Sequence, residues 1–255
     1  MWVESLTQWL RWVRVHLGPS APSWHKERRR NYLRLQQLLG SLDGKLSILN
    51  IGSDFQGAVR DRKSTGQAVD MAGVSNQFKR QIIQLDISKS EGIDIVGDAQ
   101  NLPVKDASMR CVIAQTVLEH VKSPEQCVGE MHRVLCEGGV LYAEVPFIEA
   151  YHGSPDDYQR YTINGLRHLL RHFHEIEAGV SIGPVSALCW LLSQFLISRF
   201  RGRLSRRLMT WGCWYAITPL KYLDYWMLKD SKSHVFAGAV YMFAEKRTFP
   251  NQRQA

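Results

Sequence analysis

The stretch RVLCEGGVLYAEVPF, residues 133–147, limits the fold more than any other. A helix-like tail meets two glycines, then an apolar run that proline stops. Ahead of it Ser123 is placed to cap a helix, Pro124 suits the first turn and Gln126 completes a capping box. Cys127, Val128, Met131, Val134 and Leu135 share one apolar face, and Gly138 or Gly139 is expected to supply the left-handed turn ending that helix. Further short apolar runs punctuated by Gly, Asp or Pro predict strands: LSILNI (46–51), IIQLD (82–86), IDIV (93–96), CVIAQ (111–115) and VLYAEV (140–145). Strands alternating with helices imply an α/β fold with a mainly parallel sheet and helices on both faces. Ligands of such sheets bind beyond the carboxyl ends of the strands.

Charge divides the chain. Of the net +8, residues 1–30 carry +4, 182–229 carry +6 and 230–255 carry +2, which leaves −4 on residues 31–181. All eight tryptophans also lie outside that acidic middle. This suggests an N-terminal amphipathic helix and basic linker (1–30), a core (31–181), a mainly helical apolar and basic insertion (182–233), and a last core strand with its tail (234–255). The five cysteines form no CxxC pair, so reduced thiols in a reducing compartment are expected.

In order and spacing, ILNIGSDFQG, LDIS, GDAQNLPVKDASMRCVIAQTVLEHV and RVLCEGGVLYAEVPF resemble the motifs of class I S-adenosylmethionine-dependent methyltransferases, in the small-molecule branch often called type 11. VFAGAVYMFAEK (235–246) resembles that family's antiparallel last strand. The resemblance implies a Rossmann-like, seven-stranded, mostly parallel sheet and S-adenosylmethionine as cofactor. It implies that Gly52 lets the backbone approach the methionine part, with Ser53 and Asp54 beside it. It further implies that Asp86, followed by Ile87, takes the ribose diol, that Asp98 and Ala99 hold the adenine, and that Gln115 lies under the cofactor. An Asp after a strand also serves as an ordinary turn residue. The family's glycine-rich loop is altered here, with Ser53, Asp54, Phe55 and Gln56 between Gly52 and Gly57, and Arg110 replaces the usual Asp at the fourth strand. A catalytically degenerate binding or scaffold protein is therefore the alternative.

Methyl transfer needs a nucleophile aligned with a dry methyl group, and a protein base when the acceptor is a hydroxyl. The base candidates are His152, in YHGSPDDYQRYT, and His120, in VLEHV. By resemblance Asp157, Tyr158, Arg160 and Tyr161 form the substrate side. The same residues also suit a helix start, with Thr162 as the next cap. His168 and His172 stand at i, i+4 without a convincing third ligand, so no metal site is assigned.

In the N-terminal segment Trp2, Leu6, Trp9, Val13 and Leu17 share a helical face, the pattern of an interfacial helix. SALCWLLSQFLISRF is shorter than the ~18 to 20 apolar residues a bilayer span needs, and five arginines follow between 199 and 207. Arg and Trp beside apolar faces suit an anionic headgroup region, whereas the aliphatic surface between the arginines argues against nucleic acid. The chain is thus expected to act on a small-molecule, lipid-linked or saccharide acceptor, cytoplasmic and peripheral at the inner face of a membrane. Dimerisation through the insertion is the other reading of that segment.

Overall fold

The computed structural model of the chain describes residues 22–41, 47–52, 82–90, 92–153 and 156–247. Seven strands form one sheet: β1 (Ile48–Ile51), β2 (Ile82–Asp86), β3 (Ile95–Val96), β4 (Met109–Gln115), β5 (Leu135–Pro146), β6 (His174–Ile182) and β7 (Ala239–Glu245). Their order is β3-β2-β1-β4-β5-β7-β6. All neighbouring pairs are parallel except those made by β7, which is antiparallel to both β5 and β6. The expected seven-stranded, mostly parallel sheet is present, with its reversed strand at the end of the chain.

Period-2 alternation sends neighbouring side chains to opposite faces, and each face has its own core. On one face Leu49, Val112, Ala114, Leu141 and Ala143 meet Cys127, Val128, Met131 and Val134 of α2 (Pro124–Val134), and Leu166 and Leu169 of α3 (Ile163–Leu169). On the other, Ile48, Cys111, Ile113, Tyr142 and Phe243 meet Tyr32, Leu35 and Leu39 of α1 (Pro22–Gly40). Helix α1 runs without a break through residue 30. The amphipathic pattern at residues 2–17 lies outside the described residues.

Three local expectations are corrected. The double glycine does not end α2: its C-cap is Leu135 in extended conformation, and the chain passes directly into β5. Gly138 keeps a positive φ of 72° inside the strand, where its N–H donates to the Lys246 carbonyl at 2.9 Å. Gly139 lies where a Cβ would come within 2.8 Å of the Cys136 carbonyl oxygen. Ser123 is the N-cap residue but makes no side-chain cap bond, and Gln126 reaches instead to the Gln100 carbonyl at 2.9 Å. Sequence also passed over β6, whose charged start hid a strand. Thr162 does cap α3, accepting from the Gly165 N–H at 3.0 Å.

Residues 183–238 form a helical appendage: α4 (Pro184–Ser198), α5 (Arg203–Ile217), a 3₁₀ turn (Thr218–Leu223), α6 (Asp224–Met227) and a second 3₁₀ turn (Ser233–Phe236). Gly183 offers α4 no side-chain cap. Asp224, buried from the far end of the appendage, accepts the Val185 and Ser186 N–H groups at 2.8 Å each. A carboxylate at a helix N-terminus satisfies open donors and complements the dipole. The fit requires glycine at 183, since a Cβ there would lie 2.4 Å from the Asp224 carboxyl carbon.

Strand direction decides where the appendage sits. Strand β6 runs parallel to β5 because both oppose β7, so the appendage leaves from the same carboxyl edge at which β1, β2 and β4 end. It returns there too, with the Phe147 and Ile148 N–H groups donating to the Gly238 and Ala237 carbonyls at 2.8 and 3.1 Å.

Candidate functional site

The carboxyl edge gathers the residues expected to hold a cofactor. Gly52 follows β1 with φ 68°, and a Cβ there would lie 2.3 Å from Val117 Cγ2, so both backbone and space demand glycine. Its N–H donates to the Leu85 carbonyl at 2.9 Å, which fixes the exit of β1 against the end of β2. Asp86 ends β2 and uses Oδ1 to accept both the N–H and the hydroxyl of Ser88, each at 2.8 Å. Among the described residues its Oδ2 makes no hydrogen bond. Ile87 beside it is 62% exposed, an apolar side chain standing open at this edge.

Asp98 lies one strand further on, tied to β2 through the Gly97 N–H and the Asp86 carbonyl at 2.9 Å. Its Oδ1 accepts the Gln100 N–H at 2.8 Å, so both acids serve turns while remaining at the surface. Ala99 is buried. The loop after Asp98 is held from α2: Glu130 accepts the Leu102 N–H at 2.8 Å, and Arg133 donates to the Leu102 carbonyl at 2.9 Å and the Val104 carbonyl at 2.8 Å. Arg133 also pairs with Glu130 at 2.7 Å and with Asp106. These bonds hold the Glu130 carboxyl below its usual range. Sequence had only the helix face to go on and missed this clamp.

Gln115 ends β4, as expected. At the end of β4 its side-chain oxygen accepts the Tyr32 hydroxyl of α1 at 2.7 Å, so the amide is turned towards α1. Nearby, Arg28 donates to Glu144 at 2.7 Å, and the Tyr142 hydroxyl donates to the other oxygen of Glu144 at 2.7 Å. This buried network joins α1 to β5 and has no pattern a sequence could reveal. Ser53 and Asp54 lie outside the described residues.

After β4 the chain turns sharply. Thr116 adopts φ 52°, a left-handed conformation costly for a β-branched residue, and its N–H donates to the Glu144 carbonyl at 2.9 Å. The turn sends Val117 and Leu118 into the core and carries Glu119 inward, where its side chain is wholly buried. The loop after β5 is stitched to the same turn: the Tyr158 N–H donates to the Glu119 carbonyl at 2.8 Å, and Gln159 Nε2 donates to the Val121 carbonyl at 2.9 Å.

This stitching brings His120 and His152 together, 32 positions apart in the chain, with ring centroids separated by 5.1 Å and planes at 89°. Both Nε2 atoms face Glu119 Oε1, from His120 at 3.7 Å and His152 at 3.9 Å. Neither Glu119 oxygen makes a hydrogen bond of ordinary geometry. Burial pushes the Glu119 carboxyl up to about 8, against a smaller opposing pull from its own amide. Burial also raises Glu149, which lies 4.0 Å from His152 Nδ1.

Of the expected substrate-side residues, Asp157 and Arg160 pair with each other, and Arg160 holds the Asp157 carboxyl well below the carboxylate range. Asp157 Oδ2 accepts the His152 N–H at 2.9 Å, and Arg160 Nη2 donates to the Ala150 carbonyl at 3.1 Å, so the pair braces the loop that carries His152. Tyr158 stands 44% exposed, its hydroxyl donating to Asp156 at 2.8 Å. Tyr161 is half-buried and donates to Gln159 at 2.7 Å. His168 and His172, adjacent in sequence pattern, are both exposed on the outer surface.

The surface of the appendage differs from the rest. Among the described residues, seventeen of twenty-two exposed large apolar side chains lie between 188 and 236, including Phe195 (62%), Leu204 (72%), Leu208 (64%) and Trp226 (67%). Arg199, Arg201, Arg203, Arg206 and Arg207 are exposed among them. No helix among the described residues is long and apolar enough to cross a membrane. All five cysteines are free.

Residues 65–143 match the family described as "Methyltransferase domain". A curated relative, an uncharacterized 37.1 kDa protein in a Streptomyces fradiae transposon, is 29% identical over 117 residues, which are 43% of this chain. The match spans 33% of that relative's length. Among solved structures, Haemonchus contortus phosphoethanolamine N-methyltransferase 2 in complex with S-adenosyl-L-methionine superposes with a TM-score of 0.51 at 14% identity, over 86% of this chain and 53% of that one. A SAM-dependent methyltransferase from Archaeoglobus fulgidus gives a TM-score of 0.50 at 13% identity, over 86% and 94% of the two chains. The methyltransferase-domain match over residues 65–143, with the sheet order and its reversed seventh strand, gives this chain the Rossmann-like fold shared with these S-adenosylmethionine-dependent methyltransferase structures.

Proposed function

We propose that the protein transfers a methyl group from S-adenosylmethionine to a hydroxyl of a small-molecule, lipid-linked or saccharide acceptor, at the inner face of a membrane. The observation that carries this reading is a shared edge. The cofactor residues, the cluster around Glu119 and the apolar, basic appendage all leave the sheet on one side. When bound, the cofactor supplies an electrophilic methyl on a sulfonium.

The residues fit that cofactor. Gly52 leaves room for close backbone approach, the unused oxygen of Asp86 suits a ribose diol, and the exposed Ile87 with Asp98 and Ala99 suits an adenine ring. Ser53, Asp54 and Gln115 complete the proposed set, Gln115 by supporting the end of β4 from below. On the acceptor side His152 and His120 stand with Glu119 as the groups that handle the hydroxyl's proton, and Tyr158 and Tyr161 line the approach. Asp157 and Arg160 hold the loop in place.

The appendage fits a membrane surface. Exposed aromatics and leucines bury apolar area at the interface, and each arginine near anionic headgroups adds about 1 kcal/mol. Calorimetry with full-length protein tests the enzyme half: micromolar cofactor binding, weakened at least ~10-fold (about 1.4 kcal/mol) by Asp86→Ala, is expected. Failure of the wild-type protein to bind would leave a methyltransferase-fold scaffold. Flotation with phosphatidylserine vesicles tests the membrane half, with binding lost in the pair Leu204→Glu, Leu208→Glu. Binding that survives this pair, or dimers that dissociate with it, would instead favour self-association.

A further inference from the structure

We infer that Glu119, His120 and His152 form a binding site for a divalent transition-metal cation of the zinc type, with an open position for the acceptor's oxygen. The inference rests on the acceptor-side reading above and adds the group that activates the acceptor.

The argument begins with the ring nitrogens. His120 Nδ1 lies 2.5 Å from the Asp156 carbonyl oxygen, and a carbonyl only accepts, so Nδ1 carries the proton and Nε2 offers a lone pair. His152 Nδ1 lies 3.1 Å from the Ala150 carbonyl and is directed the same way. Arg160 Nη2 approaches that nitrogen at 3.4 Å, a longer contact from a guanidinium already engaged with Asp157. A backbone carbonyl on one imidazole nitrogen is the arrangement that fixes the other as a metal ligand.

Both lone pairs face a carboxylate oxygen. Two imidazoles present their Nε2 lone pairs to Glu119 Oε1, an oxygen that no side chain engages in a hydrogen bond. Glu119 is wholly buried, and neither of its oxygens is hydrogen-bonded. A buried carboxyl group left this way is costly, and a cation held by it and the two imidazoles removes that cost.

Distances and charge agree. The three ligand atoms lie within 4.8 Å of one another, and Oε1 is 3.7 and 3.9 Å from the two nitrogens. Tetrahedral ligands at about 2.0–2.1 Å from zinc stand roughly 3.4 Å apart, so the two carboxyl–imidazole distances need close by only a few tenths of an ångström. The carboxyl groups of Glu149 and Asp157 stand beside the His152 ring, 4.0 and 3.7 Å from its Nδ1. Two histidines and one glutamate with an open fourth position are a ligand set that suits a catalytic cation. There a hydroxyl would bind through oxygen and release its proton to water more readily.

The full-length chain, stripped with chelator, is titrated with Zn²⁺ against a chromophoric chelator. Co²⁺ absorption provides a second readout of the coordination geometry. One equivalent should bind, and His120→Asn and His152→Asn should each weaken binding by ~100-fold or more. Cofactor calorimetry on the same samples checks folding. Absence of a stoichiometric site, or equal binding by wild type and both variants, would overturn the inference. Metal binding failing while cofactor binding persists sinks this inference alone, whereas loss of cofactor binding in the wild type sinks the functional reading.

Discussion

The sheet and the appendage solve the same problem in opposite ways. In the sheet the apolar residues of each strand meet a helix on one face or the other, and Leu49, Val112, Leu141 and Tyr142 are fully enclosed. In residues 183–238 the helical segments bury little beyond Pro184, Ser186, Ala187, Cys189, Cys213, Lys221 and Asp224, and turn leucines, tryptophans and arginines outward. Exposed apolar patches of this kind are common at interaction surfaces. The lesson is that the core holds the fold while the appendage is held by a few specific contacts.

The largest expected contrast comes from a matched pair of leucines. Leu141→Ala in β5 should lower unfolding free energy by about 2–5 kcal/mol, whereas Leu204→Ala in α5 should stay within ~0.5 kcal/mol by urea denaturation. If both cost alike, the appendage is part of the core and the contrast fails. Next in size is the joint between the two regions. Asp224→Ala removes a buried carboxylate from two amides and should cost about 3 kcal/mol, with hydrogen exchange showing α4 opening before the sheet. Uniform exchange across both would show that the appendage does not move as a separate unit.

A smaller effect concerns the clamp behind the loop after Asp98. Arg133→Ala should cost about 1–2 kcal/mol and weaken cofactor binding several-fold, measured by calorimetry. Because Arg133 depresses the Glu130 carboxyl, its contribution is fully present above the ordinary value of 4.5 and is lost as pH falls through the lower folded value. Stability followed from pH 6 down to 2 should fall less steeply in Glu130→Gln. An unchanged slope would assign the acid sensitivity to other pairs. The smallest expected effect lies at Thr116, where Thr116→Gly should gain about 1 kcal/mol by relieving its positive φ. If activity falls while stability rises, the strained turn serves to aim Glu119.

Much of the proposed cofactor edge was legible along the chain. Asp86 and Asp98 follow short apolar runs, and Gly52 ends the first, so their places at strand ends could be read from periodicity. Their engagement in Ser88 and Gln100 turns could not, because an acid after a strand serves either purpose. The glycine pair at 138–139 was legible as a break and misassigned, since a helix terminus and a kinked strand call for the same residue. The partnership of His120 with His152 was hidden by the 31 positions between them. Glu119 looked like one more polar residue until the turn at Thr116 carried it inside.

Order along the chain determined which segments become strands and helices, because apolar period and turn residues act over a few neighbours. It also determined that the flanks are basic and rich in tryptophan. Only the tertiary structure decided which nitrogens face one buried carboxyl group, and that the appendage opens at the same edge as the proposed cofactor residues. Those outcomes depend on strand direction and on contacts between distant segments, which local preferences do not encode.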